Sequence, residues 1–137
     1  MATLTNPFVW ENTVIEMLKE FPDNVVAFVC HGHLTKADYE TMLIPEVEDK
    51  LKRHKKLRTY TEMASDFGGI ERGALWDDTK LSFGHLFDWE RSAVVTDVVW
   101  MHRAVKVYRF LGFLIPGKVQ AFPTAEADKA RAWIGEP

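Results

Sequence analysis

RSAVVTDVVWMHRAVKVYRFLG, residues 91–112, is the stretch whose reading decides the fold. Residues 92–96 form a short β-branched run bounded by charge, which suits a central parallel strand with apolar side chains on both faces. Asp97 follows as an acidic cap able to accept hydrogen bonds from the first free backbone N–H groups of a helix. That helix is amphipathic and stops at Gly112, a residue that leaves the helical conformation easily. Strand, cap and covering helix together make the repeating unit of an α/β domain.

The same alternation extends outward. Residues 13–18 make a short first strand, Phe21-Pro22-Asp23-Asn24 has turn chemistry, and residues 25–30 make a strong second strand. Pairing through that turn sets the first strand antiparallel, at an edge or in a hairpin. His31-Gly32-His33-Leu34 then leads into a helix, where Thr35 and Asp38 form a capping box. Tyr39, Leu43, Val47 and Leu51 mark its buried stripe, and Pro45 inside the pattern predicts a kink or restart. Residues 57–64 are the most polar strand, through Thr59, Thr61 and Glu62, and are expected at a less covered position.

The loop Ser65-Asp66-Phe67-Gly68-Gly69 precedes a helix from near Ile70 or Glu71 to about Leu86, whose apolar period is poorly defined. After the turn Pro116-Gly117 come a last strand, residues 118–122, and a final helix opened by Pro123-Thr124. Ala127, Ala130 and Ile134 share one face of that helix. The expectation is an N-terminal tail over residues 1–12 and one α/β domain over residues 13–135. It holds a mainly parallel five-stranded sheet, an antiparallel first strand and about four helices.

Composition bounds the function. A chain of 137 residues, 47% hydrophobic and 27% charged, suits one globular domain and excludes a disordered or fibrous class. No apolar run reaches the roughly 20 residues of a membrane span, so no integral membrane association is expected. The N-terminus lacks the basic and apolar regions of a secretory signal, and the single cysteine, Cys30, fits a reducing cytoplasm. Six of the 17 basic residues lie between Lys50 and Arg58, leaving the other 11 against 20 acidic ones, a balance of −9. A nucleic-acid binder needs a broader basic footprint, so this cluster reads as a solvated helix end.

GHLTKADYE after a buried strand, SDFGGIERGALWDD, RSAVVTDVVW and the closing ADKARAWI with Trp133 occur in an order that resembles the SpoIIAA-like proteins, a bacterial family related to STAS domains. The likeness spans residues 13–135 and rests on the order and spacing of short motifs. It implies a compact βα fold with no established enzymatic activity. It also implies relatives that bind protein partners and sometimes nucleotides, and a related CRAL-TRIO fold that binds lipids. Partner-switching STAS proteins carry a phosphorylated serine in an Asp-Ser-Ser-Gly-like turn. Here that turn reads Ser65-Asp66-Phe67-Gly68-Gly69, and a phosphate on Ser65 meets the opposing charges of Asp66 and Glu71.

Ligands of open α/β sheets bind beyond the carboxyl ends of the strands, which makes His31, His33, Ser65, Asp66, Phe67, Asp97, Trp100 and Phe122 the ligand-binding candidates. No catalytic motif, cofactor motif or complete metal-ligand spacing is present, and Asp77 and Asp78 diverge by about 100° around their helix. A small enzyme or metal site using His31, His33 and Asp66 or Asp97 is the alternative, and a phospho-switch at Ser65 a further one. Trp100, Val107, Phe110, Phe113 and Leu114 form a second apolar set beside the stripe Met101, Ala104, Val105, Tyr108 and Leu111. An arc that wide predicts a well-buried helix, a homodimer contact or an apolar ligand cleft. The preferred reading is a non-catalytic module, homodimeric, for a protein partner or small apolar ligand.

Overall fold

The computed structural model describes residues 14–85, 88–110 and 117–137. The tail expected over residues 1–12 lies outside them, as do Phe113 and Leu114. Chain order within the described residues begins with β1 (Ile15–Met17), β2 (Val25–Cys30) and a two-residue strand β3 (His33–Leu34). Helix α1 (residues 36–51), β4 (Leu57–Met63), a second two-residue strand β5 (Gly69–Ile70) and helix α2 (Arg72–Gly84) come next. Then follow β6 (Trp89–Val95), α3 (Val99–Phe110), β7 (Lys118–Phe122) and, after a 3-10 turn, α4 (Ala127–Ile134).

The main sheet runs β1-β2-β4-β6-β7. β1 pairs antiparallel with β2, Ile15 opposite Cys30, and every later pairing is parallel. This is the five-stranded, mainly parallel architecture expected from the hydrophobic pattern. β4, expected at a less covered position, is the middle strand of five, and its Thr59 and Thr61 are only half-buried. The short pair β3–β5 was not foreseen, because two residues are too few to show a period.

Each strand presents alternate residues to the two faces. Val26, Phe28 and Cys30 of β2 join Leu57 and Met63 of β4 in one core beneath α1, α2 and the start of α3. Val25, Ala27, Tyr60, Ala93, Val95 and Phe122 form the other core, against Ala130 and Ile134 of α4. Three helices therefore share one face, while α4 covers the other.

Local chemistry explains the elements. The Thr35 side chain accepts from the Asp38 N–H at 3.2 Å and the Asp38 carboxylate accepts from the Thr35 N–H at 3.2 Å, closing the capping box that starts α1. Pro45 lies just after a π-helical turn, Tyr39–Leu43, and the chain then continues as regular helix over Ile44–Leu51. A proline has no N–H to give to the previous turn, and the widened turn absorbs it without ending the helix. Tyr39, Leu43 and Val47 are buried along one stripe, each full burial contributing about 1.5–3 kcal/mol. Gly117 sits at φ +89°, and a Cβ there would lie 2.6 Å from the Trp89 carbonyl oxygen, so the turn into β7 needs glycine.

The basic cluster between Lys50 and Arg58 is structural. Arg53 Nε, at 3.0 Å, and His54 Nε2, at 2.6 Å, both meet the Asp23 carboxylate, while Lys50 Nζ donates to the Asp23 and Val25 carbonyls at 2.9 and 3.0 Å. Bonds from Arg53 and then His54 hold the Asp23 carboxyl well below its usual range. Arg58 points to the opposite face, where it pairs with Glu90 at 2.6 Å and donates to the carbonyls of Ile134, at 2.8 Å, and Glu136. Arg91 adds a bond to the Trp133 carbonyl at 2.7 Å and lies 5.2 Å over the Trp133 ring. Two cations thus take up carbonyls at the C-terminal end of α4, where the helix dipole favours positive charge.

Replacing Arg58 by alanine is expected to destabilise the protein by about 2–3 kcal/mol, because it leaves carbonyls of the α4 end without their charged donor. Denaturant unfolding measures it, and Arg58→Lys, which lacks the fork, should restore only part of the loss.

Candidate functional site

The helix-bearing face of the sheet is incompletely filled. α3 rests on β7 and α2 rests on α1, so neither lies flat over β4 and β6. The space between is a cavity of about 400 Å³. Its floor is Thr59 and Thr61 of β4 with Ser92 and Val94 of β6, all half-buried. Tyr39, Leu43 and Val47 of α1 form one wall, and Ala74, Leu75, Asp78 and Leu81 of α2 continue it. Trp100, Met101, Ala104, Val105 and Tyr108 of α3 face them, and Trp89, Gly117 and Lys118 lie at the end near the strand starts.

The polar groups of this lining include the hydroxyls of Thr59, Thr61 and Ser92, the cations of Arg91 and Lys118, the Tyr108 phenol, and a cluster of Tyr39, Asp78 and Cys30. Tyr39 donates a hydrogen bond to Asp78 Oδ1. Asp78 lines the cavity and is exposed to solvent, with protein packed around its carboxyl. Burial pushes its carboxyl above the usual range, against the hydrogen bond from Tyr39. Burial and then the neighbouring Asp78 charge push the Tyr39 phenol up and raise the Cys30 thiol to about 12. Cys30 is therefore a thiol and not a nucleophilic thiolate near neutral pH. Burial alone raises the Tyr108 phenol.

The candidates at the strand ends occupy different surroundings. His31 lies between Glu16, with Nε2 at 3.0 Å from Oε1, and Asp66, with Nδ1 at 3.4 Å from Oδ1. Bonding to Glu16 first, then Asp66, raises its pKa against desolvation. His33 lies in β3 beside Gly69, so β3 and β5 clasp the loops that follow β2 and β4. Within the clasp, Gly68 N donates to the Gly32 carbonyl at 2.6 Å and Glu71 N to the Leu34 carbonyl at 2.8 Å. Those donors are consumed, so the glycine-rich turn does not offer them to an anion.

Ser65 and Asp66 are exposed on that loop, and Phe67 packs partly buried against the helix-side core. Asp97 does not cap the helix after it, as the sequence had implied. Its carboxylate instead accepts from the Thr124 N–H at 3.0 Å and from the Thr124 hydroxyl, joining two loops, while Thr96 Oγ1 accepts from the Val98 N–H at 3.0 Å. The Thr124 bonds lower the Asp97 pKa. Phe122 is only 5% exposed, in the opposite core, with its ring 6.0 Å from Trp133. Among the described residues, Trp100 alone of these candidates lines the cavity, 53% exposed at its mouth. Val107 and Phe110 lie farther along α3, exposed to solvent.

Sequence reasoning passed over Asp78, Tyr39 and the floor. Two signals pointed there: hydroxyl residues two apart in β4, and the weak apolar period of α2. Both are what strands and helices show when part of their inner surface faces open space. Among the described residues, no three His, Cys, Asp or Glu side chains converge as metal ligands, and no helix is long and apolar enough to cross a membrane.

The SpoIIAA-like family profile matches residues 25–135. A solved structure from Shewanella loihica PV-4, an uncharacterized protein of the DUF3478 family with a SpoIIAA-like fold, is similar at 26% identity with a TM-score of 0.65. The match covers 88% of this chain and 91% of that one. No curated protein matches the chain.

His31 provides a pH test. Its folded pKa is raised, so its stabilising effect is fully present below the unfolded value of about 6.5 and is lost as pH rises through the folded value. The stability gap between wild type and His31→Gln should be widest below about pH 6.5 and close as pH rises through the folded value. A gap constant across denaturation curves in that window would show that the ring is held by packing and not by charge.

Proposed function

The chain belongs to the SpoIIAA-like family, and on that premise we propose that it is a non-catalytic binding module whose cavity receives a small apolar ligand. The observation that carries this reading is the unfilled space of about 400 Å³ over β4 and β6. Small-molecule sites commonly enclose roughly 300–1,000 Å³, mostly apolar with a few placed polar groups. The lining fits that description, with aliphatic and aromatic walls and a polar cluster at Tyr39 and Asp78. Its one thiol is held protonated, which supports holding a ligand over attacking it. A reducing cytoplasm suits that buried cysteine.

A protein contact is supported separately. Val99, Val107 and Phe110 are exposed along α3, Phe110 at 79%, beside the mouth residue Trp100. Large apolar side chains grouped on one helix favour a covering surface, and a second copy of this chain is the simplest one. His31, His33, Ser65 and Asp66 then serve the loop clasp and its exposed rim, outside the ligand cavity.

Titration with an apolar fluorescent probe tests the cavity. Val94→Phe, which adds a ring to the floor, should weaken probe binding at least about tenfold while the melting temperature holds or rises. His31→Ala and His33→Ala should leave binding unchanged. Undiminished binding in the Val94 variant rejects the cavity as the site. Light scattering should give about twice 15.8 kDa, and Phe110→Asp should return the mass to that of one chain.

A further inference from the structure

Two adjacent acids on α2 are treated in opposite ways. Asp77 is only 2% exposed and lies beneath two cations, with Lys36 Nζ at 3.3 Å and Lys80 Nζ at 3.4 Å. Asp78 turns into the cavity, where Tyr39 is its one hydrogen-bond partner among the described residues and occupies only Oδ1. No lysine, arginine or histidine among the described residues forms an ion pair with it. The Tyr39 phenol and the Cys30 thiol near it are acids too, and the two cations that line the cavity, Arg91 and Lys118, are not paired with it. A cation brought into the cavity supplies this carboxylate with an ion-pair partner. Trp100 and Tyr108 add aromatic surface to the same cavity, and such ring faces attract cations.

We propose that the cavity's ligand is an apolar amine, its hydrocarbon body over the Thr59, Thr61, Ser92 and Val94 floor and its protonated amino group paired with Asp78. This rests on the cavity reading given above and names the chemistry of its occupant. Carboxylate-bearing ligands are disfavoured because Asp78 repels them. Neutral alcohols fill the apolar space but leave the charge without a counter-ion.

Calorimetric titration of the full chain with octylamine, octanol and octanoate separates these cases, because the three share one hydrocarbon body. Octylamine should bind about tenfold or more tighter than octanol, and octanoate weakest of the three. Asp78→Asn keeps the shape and an acceptor for Tyr39, and should bring amine and alcohol to within about threefold of each other. Tyr39→Phe frees Asp78 without removing its charge and should keep the amine preference, a check that holds even if the Asp78 variant folds poorly. Octanoate matching octylamine, or an amine preference that survives Asp78→Asn, overturns the proposal. Octanol binding with no preference for amine sinks this inference alone, whereas failure of all three ligands sinks the cavity reading with it.

Discussion

Strands β2, β4, β6 and β7 lie side by side in chain order and all point the same way. Crossovers between parallel strands are almost always right-handed, so steps in one direction across a sheet drop their helices on one face. That constraint shapes the rest of the molecule. α1, α2 and α3 must share the face above β2, β4, β6 and β7, and the opposite face is left to α4. α4 is held there by Ala130 and Ile134 below and by Arg58 and Arg91 at its end.

Three helices on one face do not have to tile it. α1 packs along β2 through Tyr39, Leu43 and Val47, and α3 settles on the edge strand β7. α2 finds its main support on α1. The middle of the sheet is left without a covering helix, and its exposed floor carries hydroxyl residues where a sealed core would have aliphatic ones. Thr59, Thr61 and Ser92 are tolerable there because a space of that size lets them meet solvent or a ligand. The polarity of β4 thus marks an opening in the middle of the sheet.

The loops at the carboxyl ends of the strands, the customary place for a ligand in open sheets, are occupied by structural bonds. The β3–β5 clasp uses the glycine backbone, Asp97 ties two loops through Thr124, and His31 sits between two carboxylates. Inside the cavity Tyr39 donates to Asp78 Oδ1. Which of two adjacent aspartates becomes available is decided by which face of α2 each one occupies, since Lys36 and Lys80 reach Asp77 and not Asp78.

Strand positions, the antiparallel first strand, the α1 capping box, the Pro45 irregularity and the buried stripe of α1 follow from the sequence, because each depends on residues within one or two turns of each other. The same local patterns imply the fold class, while the order and spacing of short motifs carry the resemblance to the family. Tertiary structure alone decided that β4 lies in the middle, that Asp97 bonds to Thr124 and that Phe122 is sealed in the opposite core. It also decided that Asp78 meets Tyr39 across 39 positions of chain. Periodicity says which side of an element is apolar but not how far the neighbouring element stands from it. A cavity is a property of that distance, so it becomes visible only when all three helices are in place.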